Sequence, residues 1–531
     1  MGRFVNIGSD GFRSARNSEY VDKSRLIEVV NATLNTESRF TCVSRARRFG
    51  KSIGARMLYA YYDIWSADNS LFDGLEISSS PSFYTHFRCY PVIYLDMTDF
   101  VTRFSPNVVL EHVQSDVIAE LQEAFPDVTF KENNDLADAL YSIVSQDKRI
   151  NKFIMIIDEW DAFLRDYKEG NEVVEQYINL LRGLFKSANA MSTFAGVYMT
   201  GILPIKKYDT QSALNNFHEY SVVQPGPMAD CFGFSSREVQ YLCEKYGMDY
   251  DLMAEWYDGY QIGDKKRMFN PTSVMMAINN KFCDSYWANT GAYDTILSFI
   301  NLNFGGLKDD IIRLMASESC PVETASFQND LKVVRSKDDV FTSLIHLGYL
   351  SYDRDTKTCR IPNREIATEF KNAIASEPGW NVIADAIKQS ECLLAETLSG
   401  NEVAVAKAID IIHSDNTSIL QYNNENSLAC VLAIAYYSAK RSFIMIREMP
   451  TGKGFADLVL LPKPGGWGPA VVLELKYDQS AETAISQIHD NRYGSTLQKY
   501  VGDVILVGIN YNKMTKRHEC KIERITKPYA Y

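Results

Sequence analysis

A glycine, a lysine and a serine stand together where a strand pattern gives way to a helix pattern. The strand pattern covers residues 40–43, the loop after it ends in Gly50-Lys51-Ser52, and a helix pattern covers residues 53–62. This order suits a phosphate site, because backbone N–H groups at a helix start cradle phosphate oxygens and a lysine there neutralises the β- and γ-phosphate charge. Ser52 can ligate Mg²⁺ in such a site. A solvated helix start is the alternative.

The loop lacks the first glycine of the usual phosphate-loop signature, and Arg45 occupies that position. Arg45, Arg47 and Arg48 form a basic cluster that could grip phosphate, contact a partner or be solvated. The sequence does not separate these three roles. We count Arg47 and Arg48 with Gly50, Lys51 and Ser52 as candidate nucleotide-binding residues.

Two carboxylates follow the strand pattern at residues 153–157. A buried strand that ends in Asp158-Glu159 can place Asp158 on Mg²⁺ through water, while Glu159 orients and deprotonates the attacking water. For this pair alone, a helix N-cap after a strand is an equal alternative. Thr200 ends the strand pattern at residues 193–200, where a polar sensor of the γ-phosphate would lie. These residues together predict an ATP and Mg²⁺ site.

A second group of chemically competent residues lies near the other end of the chain. Asp457 begins one strand pattern, and Glu474 and Lys476 share one face of the next, because strand side chains alternate between faces. Two carboxylates can hold one or two Mg²⁺ ions, and a lysine can position water or stabilise charge on a phosphate, which suits phosphodiester hydrolysis. Glu425 is a further candidate metal ligand and Gln487 a further polar candidate. An edge strand with solvated charges is the alternative.

Composition limits the function classes. The chain has 531 residues, 46% of them hydrophobic and 23% charged, with a net charge of −12, which argues against a generic electrostatic binder of nucleic acid. From position 490 onward, however, eight basic residues stand against four acidic ones. Such a basic end could follow a phosphate backbone or be a solvated face.

Location and assembly are constrained only weakly. The ten cysteines include no CxxC pair, the first ten residues show no signal-peptide pattern, and no apolar run reaches the ~18 residues of a membrane span. We therefore expect a cytoplasmic protein without a membrane partner. A homo-oligomer stays open.

Residues 1–205 alternate strand and helix patterns, which predicts an α/β domain built on a parallel sheet with helices on both faces. Residues 206–395 are mostly amphipathic helix patterns. In residues 396–531 we expect a helix at 428–438, strands at 443–447, 456–461 and 471–476, a helix at 481–488 and a final strand at 503–509. The sequence thus predicts three domains with these boundaries.

At these residues the chain resembles bacterial AAA-ATPase-like proteins that carry a C-terminal PD-(D/E)XK nuclease-superfamily domain. Family members usually have Pro where this chain has Ala46, and Tyr where it has Trp160. The arginine in place of the first loop glycine resembles the family's own variant. The resemblance covers nearly the whole chain and depends on residues 20–24, 47–52, 157–161, 200–203, 214–216, 256–260, 269–271, 286–290, 361–365 and on Asp457 with residues 474–476.

The resemblance implies an ASCE-type P-loop ATPase domain, a helical middle region and a restriction-endonuclease-like α/β domain. The leading interpretation is an ATP-hydrolysing protein in which Glu159 is the catalytic base and Asp457, Glu474 and Lys476 form a Mg²⁺-dependent nuclease centre. Its partner would be nucleic acid, with DNA favoured over RNA. Two alternatives are a nucleotide-dependent switch that binds a partner without cleavage, and a nucleic-acid-binding module with two inactive sites.

Overall fold

The computed structural model describes residues 2–526 apart from 67, 131–134, 168–171, 206, 209–210, 213, 264–265, 288–291, 303, 332–333, 417–431, 452–453, 464–465, 467 and 491–501. The chain divides into two compact units. One comprises Met1–Trp287 with Pro321–Ile366, and the other comprises Ala288–Cys320 with Ala367–Tyr531. The three-domain division with boundaries at 205 and 395 stays a prediction.

The α-helices with both ends among the described residues are α1 (Asp10–Arg16), α2 (Arg25–Asn31), α3 (Lys51–Tyr62), α4 (Phe83–His86), α5 (Met97–Arg103), α6 (Val109–Ala124), α7 (Leu136–Gln146), α8 (Ala162–Asp166), α9 (Glu172–Phe185), α10 (Ala190–Thr193), α11 (Ser236–Tyr246), α12 (Tyr250–Tyr257), α13 (Pro271–Asn280), α14 (Ala292–Ile300), α15 (Leu307–Met315), α16 (Lys337–Leu347), α17 (Arg364–Ser376), α18 (Asn381–Ser399), α19 (Glu402–Asn416) and α20 (Ala481–Asp490).

The strands are β1 (Phe40–Ser44), β2 (Val92–Asp96), β3 (Phe153–Asp158), β4 (Phe194–Gly201), β5 (Lys207–Tyr208), β6 (Gln211–Ser212), β7 (His218–Tyr220), β8 (Phe234–Ser235), β9 (Tyr260–Ile262), β10 (Lys266–Phe269), β11 (Cys320–Pro321), β12 (Ser351–Asp353), β13 (Thr358–Arg360), β14 (Phe443–Thr451), β15 (Gly454–Pro462), β16 (Ala470–Tyr477), β17 (Val504–Asn512) and β18 (Arg517–Ile525).

The first unit is built on a five-stranded sheet in the order β2-β3-β4-β1-β7, and all its neighbouring strands are parallel. Strands β1, β3 and β4 are buried along their whole length. Near-continuous apolar runs of this kind are typical of parallel strands that are covered on both faces. Helix α3 contacts β3 and β4. The predicted parallel sheet is confirmed, with β4 between β1 and β3.

The side chains of the sheet explain how helices cover both faces. Phe40 and Cys42 of β1 lie in one apolar core with residues of α6, α7 and α9. Thr41 and Val43 of the same strand are equally buried but point to the other face, because side chains alternate along a strand. This core therefore lies on one face of the sheet, and α3 packs on the other.

A smaller group of elements in the first unit follows the sheet. Helices α11, α12 and α13 share an apolar core, and β8, β10 and β9 form a small antiparallel sheet. Helix α11 begins with a capping box in which Ser235 and Glu238 satisfy each other's backbone N–H groups. These short strands and the β12–β13 hairpin were not predicted. Strands of two to four residues are too short to show an alternating pattern.

The second unit contains a five-stranded mixed sheet in the order β14-β15-β16-β17-β18. Strands β14, β15 and β16 pair antiparallel, β16 and β17 pair parallel through the crossover helix α20, and β17 pairs antiparallel with β18. The three predicted strands at 443–476, the helix at 481–488 and the strand at 503–509 are confirmed, with ends that differ by a few residues. The predicted helix at 428–438 lies partly outside the described residues.

The expectation that the strand at 503–509 is the last one is wrong. Strand β18 follows it and pairs with β17 over its whole length. Its residues are largely charged and half-exposed, so the sequence alone indicated a solvated basic end at this place. An edge strand of this kind is held by its backbone hydrogen bonds and needs little apolar side-chain patterning.

In the described part of the chain, no helix is long and apolar enough to span a membrane.

Candidate functional sites

The loop between β1 and α3 has the geometry of a phosphate-binding turn. Gly50 precedes α3 with a φ of 89°, a left-handed conformation that favours glycine. Lys51 is the first helical residue and is only 4% exposed. Its Nζ donates hydrogen bonds to the carbonyl oxygens of Arg45 at 3.0 Å and Ala46 at 3.1 Å. The Lys51 side chain therefore lies against its own loop. The residue begins the helix that follows β1, as the sequence predicts.

Asp158 and Ser52 lie together at the carboxyl edge of the sheet. The Asp158 carboxylate accepts hydrogen bonds from Tyr94 Oη at 3.0 Å and from the Glu159 N–H at 3.1 Å. Burial raises the pKa of Asp158 to about 6, and the hydrogen bond from the Ser52 side chain opposes this shift. A hydroxyl and a carboxylate in contact are the hard oxygen donors that Mg²⁺ prefers. These two residues fit the metal that the sequence predicts.

Glu159 follows β3 directly and lies between two cations. Its Oε2 accepts a 2.5 Å hydrogen bond from Arg165 Nη2, and its Oε1 lies 3.8 Å from Lys51 Nζ. Its φ is 50°, a left-handed conformation that is costly for a residue with a Cβ. Strain of this kind persists where the surroundings over-determine a residue, often in functional sites.

Thr200 lies in β4, directly opposite Val43 of β1 in the parallel register. Its side chain is fully buried, and its hydroxyl has no hydrogen-bond partner among the residues that the structure describes. Buried polar atoms are nearly always satisfied, so an orphaned hydroxyl at the end of this strand suits a group that contacts a ligand. The structure thus brings Lys51, Ser52, Asp158, Glu159 and Thr200 to one edge of the sheet.

The three loop arginines have different environments. Arg45 is fully buried, and its guanidinium donates to the carbonyl oxygens of Ser44, Tyr220 and Met228 at 2.8–2.9 Å. Burial without a carboxylate partner lowers the pKa of Arg45 to about 10. Its guanidinium thus ties the loop to two distant segments.

Arg48 and Arg47 differ from this buried residue. Arg48 Nη1 donates to the carbonyl oxygen of Tyr286 at 2.7 Å, whereas Arg47 is exposed. The sequence left the roles of these arginines open, and their burial and partners now separate them. Their predicted contacts with nucleotide stay a prediction.

Sequence reasoning missed two charged residues near Glu159, one fully buried and one largely buried. Asp161 is fully buried, and Arg165 lies one helical turn later, with its Nε 3.3 Å from Asp161 Oδ2. The spacing of four residues at the start of α8 was the available signal. It was not distinctive, because such pairs are usually exposed on helix surfaces.

The carboxylates and the lysine of the second unit meet across β15 and β16. Leu458 pairs with Leu473, which sets Asp457 opposite Glu474 on the neighbouring strand. Asp457 Oδ2 accepts the Leu475 N–H at 2.7 Å. The predicted neighbours on these two strands are therefore brought together.

The other members of this group surround Glu474, which is 3% exposed. Lys476, which is 8% exposed, donates from Nζ to Glu474 Oε1 at 3.1 Å, and the Gln487 amide of α20 donates to the same oxygen. Glu425 lies outside the described residues. Within the described chain, no three His, Cys, Asp or Glu side chains cluster closely enough to form a metal site by themselves.

The order of the parallel sheet, the loop from β1 to α3 and the carboxylates after β3 have the arrangement of a P-loop fold. Residues 6–211 match the family model AAA-ATPase-like, described as "Predicted AAA-ATPase". This segment contains Lys51, Asp158, Glu159 and Thr200. It covers less than half of the 531 residues. A comparison with curated proteins found no match.

Several solved structures share a distant likeness with the chain. A structure described as a DNA replication initiation factor has 11% identity and a TM-score of 0.24, over 80% of this chain and 97% of that one. The ORC2 protein of Aeropyrum pernix has 12% identity and a TM-score of 0.26, over 66% and 93%. DnaA from Aquifex aeolicus, bound to AMPPCP, has 10% identity and a TM-score of 0.23, over 80% and 96%.

Proposed function

We propose that the first unit binds ATP with Mg²⁺ and hydrolyses it. The observation that carries this proposal is the meeting of Lys51, Ser52, Asp158 and Glu159 at the carboxyl edge of one parallel sheet. In open α/β sheets, ligands bind at this edge. The match of residues 6–211 to an ATPase-like family model supports the same conclusion.

Each residue has a defined role in this proposal. Lys51 turns from the loop carbonyls to the β- and γ-phosphates, and the N–H groups at the start of α3 hold phosphate oxygens. Ser52 and Asp158 hold Mg²⁺, which supplies charge neutralisation on the phosphates. Glu159 accepts the proton of the attacking water, and Thr200 contacts the γ-phosphate.

A binding and turnover experiment tests this proposal. We expect purified wild-type protein to bind a fluorescent ATP analogue and to release phosphate from ATP only with Mg²⁺. Lys51→Ala should weaken binding at least about tenfold, because hydrogen bonds between charged groups contribute about 1.5–3 kcal/mol. Lys186→Ala, at an exposed lysine, is the matched control. Equal binding by wild type and Lys51→Ala would contradict the proposal.

We further propose that the second unit cleaves phosphodiester bonds of nucleic acid, with DNA favoured over RNA. What supports this is the group of Asp457, Glu474 and Lys476, of which Glu474 and Lys476 are buried, and the resemblance at those residues to the PD-(D/E)XK superfamily. The two carboxylates hold Mg²⁺, and the Lys476 ammonium stabilises charge that develops on the phosphate. The mixed sheet with a helical crossover between β16 and β17 agrees with a restriction-endonuclease-like fold.

Labelled DNA and RNA, incubated with Mg²⁺ or Mn²⁺, test the second proposal. Cleavage by wild type should be lost in Lys476→Ala and kept in Lys407→Ala, which changes an exposed lysine of α19. Reactions with ATP, with ADP and without nucleotide show whether nucleotide state controls cleavage. Identical rates in all three would remove that coupling.

A nucleotide-dependent switch without cleavage is the alternative. The observation that favours it is the pairing of Glu159 with Arg165, which leaves the proposed base engaged by a cation. A switch predicts nucleotide binding with slow turnover and no change in any nucleic-acid assay for Lys476→Ala. Loss of cleavage in that variant would exclude it.

A further inference from the structure

Arg165 connects the two carboxylates that flank Trp160. Its Nη2 lies 2.5 Å from Glu159 Oε2 and its Nε lies 3.3 Å from Asp161 Oδ2. The arginine side chain is only 11% exposed and the Asp161 side chain is fully buried. Both ion pairs therefore lie largely outside bulk water, where charge interactions are stronger.

Asp161 continues this connection to the end of β4. Its Oδ2 accepts the backbone N–H groups of Ile202 at 3.1 Å and Leu203 at 2.8 Å. The backbone N–H of Trp160 also donates to the Thr200 carbonyl oxygen at 3.0 Å. A continuous set of contacts thus joins the Glu159 carboxylate to the chain around Thr200.

Stability alone is a weak reason for this arrangement. A buried ion pair is often no more stabilising than apolar residues of similar size, because desolvation offsets the attraction between the charges. The left-handed conformation of Glu159 adds a further cost, because its Cβ comes too close to the following carbonyl oxygen. The arrangement therefore costs free energy of folding, and its effect is to fix the direction of the Glu159 carboxylate.

Arg165 also opposes the attraction of Glu159 to Lys51. Lys51 Nζ lies 3.8 Å from Glu159 Oε1, while Arg165 holds Oε2. Without Arg165, the Glu159 carboxylate would lose the cation that holds Oε2 and would be free to turn out of its place. With Arg165 present, Glu159 keeps its position when Lys51 turns to a phosphate.

We propose that Arg165 is a positioning residue that fixes the Glu159 carboxylate relative to Lys51 and the end of β4. This inference depends on the ATP hydrolysis proposed above, and it adds a residue outside the phosphate loop to that site. Arg165 acts through Glu159 and need not contact nucleotide. Turnover should therefore depend on Arg165 more strongly than nucleotide binding does.

Arg165→Met tests the inference through separate measurements of kcat and of nucleotide Kd. We expect kcat to fall about tenfold or more, since small misplacements of a catalytic group can cost up to about a hundredfold. The Kd for ATP should stay within about threefold, because Lys51 is unchanged. Arg165→Lys should recover part of kcat. Arg149→Met, at an exposed arginine, is the matched control.

Arg165→Met leaves the buried Asp161 carboxylate without its cation, which could destabilise the fold. The double variant Asp161→Asn with Arg165→Met removes that lone charge and keeps an oxygen for the Ile202 and Leu203 N–H groups. We expect it to melt near wild type and still to show the low kcat. A wild-type kcat in the double variant, or a kcat that falls only in proportion to ATP binding, would overturn the inference. A wild-type protein that binds ATP without turnover would instead overturn the proposed hydrolysis.

Discussion

The ammonium of Lys51 lies 3.8 Å from a carboxylate oxygen of Glu159, so the first residue of α3 and the residue after β3 meet at one edge of the sheet. In this structure the lysine donates to two loop carbonyls. Arg165 is a second cation that attracts the same Glu159 carboxylate. The site therefore holds a lysine that is bonded to its own loop and a carboxylate that lies between two cations. That division suits a residue that must engage phosphate and a residue that must orient water.

Magnesium binding should depend on pH through Asp158. Burial raises the pKa of this carboxyl to about 6, and a protonated carboxyl cannot ligate a cation. Protons and Mg²⁺ therefore compete below that pH, and we expect the apparent Mg²⁺ affinity of the nucleotide complex to fall about tenfold per unit from about pH 6 to about pH 5. Titration of Mg²⁺ into protein with a fluorescent ATP analogue measures this. Asp158→Asn should bind more weakly with little pH dependence, and a flat wild-type profile would contradict the assignment.

Arg45 should matter for stability. Arg45→Met leaves the carbonyl oxygens of Ser44, Tyr220 and Met228 without this donor, which costs about 2 kcal/mol net after the relief of burying a charge. Urea unfolding measures the change. Arg47→Met, at the exposed neighbour, should stay within about 0.5 kcal/mol of wild type. Equal losses in the two variants would mean that Arg45 has no special role in the loop.

Glu365 should make the first unit less stable as pH rises. Its carboxylate accepts hydrogen bonds from the Ser273 hydroxyl and from the Tyr286 and Trp287 N–H groups, and burial raises its pKa from 4.5 to about 7. The unfolded chain loses this proton first, so the stabilisation is complete below about pH 4.5 and is lost as pH rises through about 7. The loss is of order 3 kcal/mol.

Thermal unfolding between about pH 5 and about pH 7.5 measures this effect. Glu365→Gln keeps the shape of the side chain and removes the titration. We expect its melting temperature to decline less over this range than that of wild type. Parallel declines for the two proteins would show that Glu365 does not carry the pH dependence.

Lys476 should affect both stability and chemistry in the second unit. Lys476→Met leaves Glu474, which is 3% exposed, without its cation, so we expect the free energy of unfolding to fall by about 3 kcal/mol. Glu474→Gln with Lys476→Met should recover most of that loss. Cleavage of nucleic acid should be absent in both variants. Cleavage by the stabilised double variant would show that the two residues serve only the fold.

Much of the first site follows from the sequence. Carboxyl ends of parallel strands meet at one edge of a sheet, so a Gly-Lys-Ser after one strand and an Asp-Glu after another predict neighbours, and Ser52 and Asp158 are indeed in contact. The strands at residues 40–43 and 153–157 were located to within one residue at each end. Strong apolar runs that end in polar residues made these assignments possible.

The rest could not be predicted, because it depends on burial. Arg45 and Arg47 carry the same charge two positions apart, and only the packing of the chain makes one fully buried and the other exposed. The ion pairs of Arg165 depend in the same way on packing, which brings Asp161 at the start of α8 to the backbone just after β4. Strand β18 was missed because its largely charged residues show no apolar pattern, and its pairing with β17 uses backbone hydrogen bonds that the sequence does not reveal.

Steady-state phosphate release by wild type and by Glu159→Gln tests the central claim most directly. The substitution keeps the size of the side chain and removes the base, and general-base catalysis contributes about 10²–10⁴-fold. We therefore expect Mg²⁺-dependent ATP turnover by wild type, a fall of about that size in Glu159→Gln, and unchanged ATP binding. Turnover by Glu159→Gln at the wild-type rate would contradict the account.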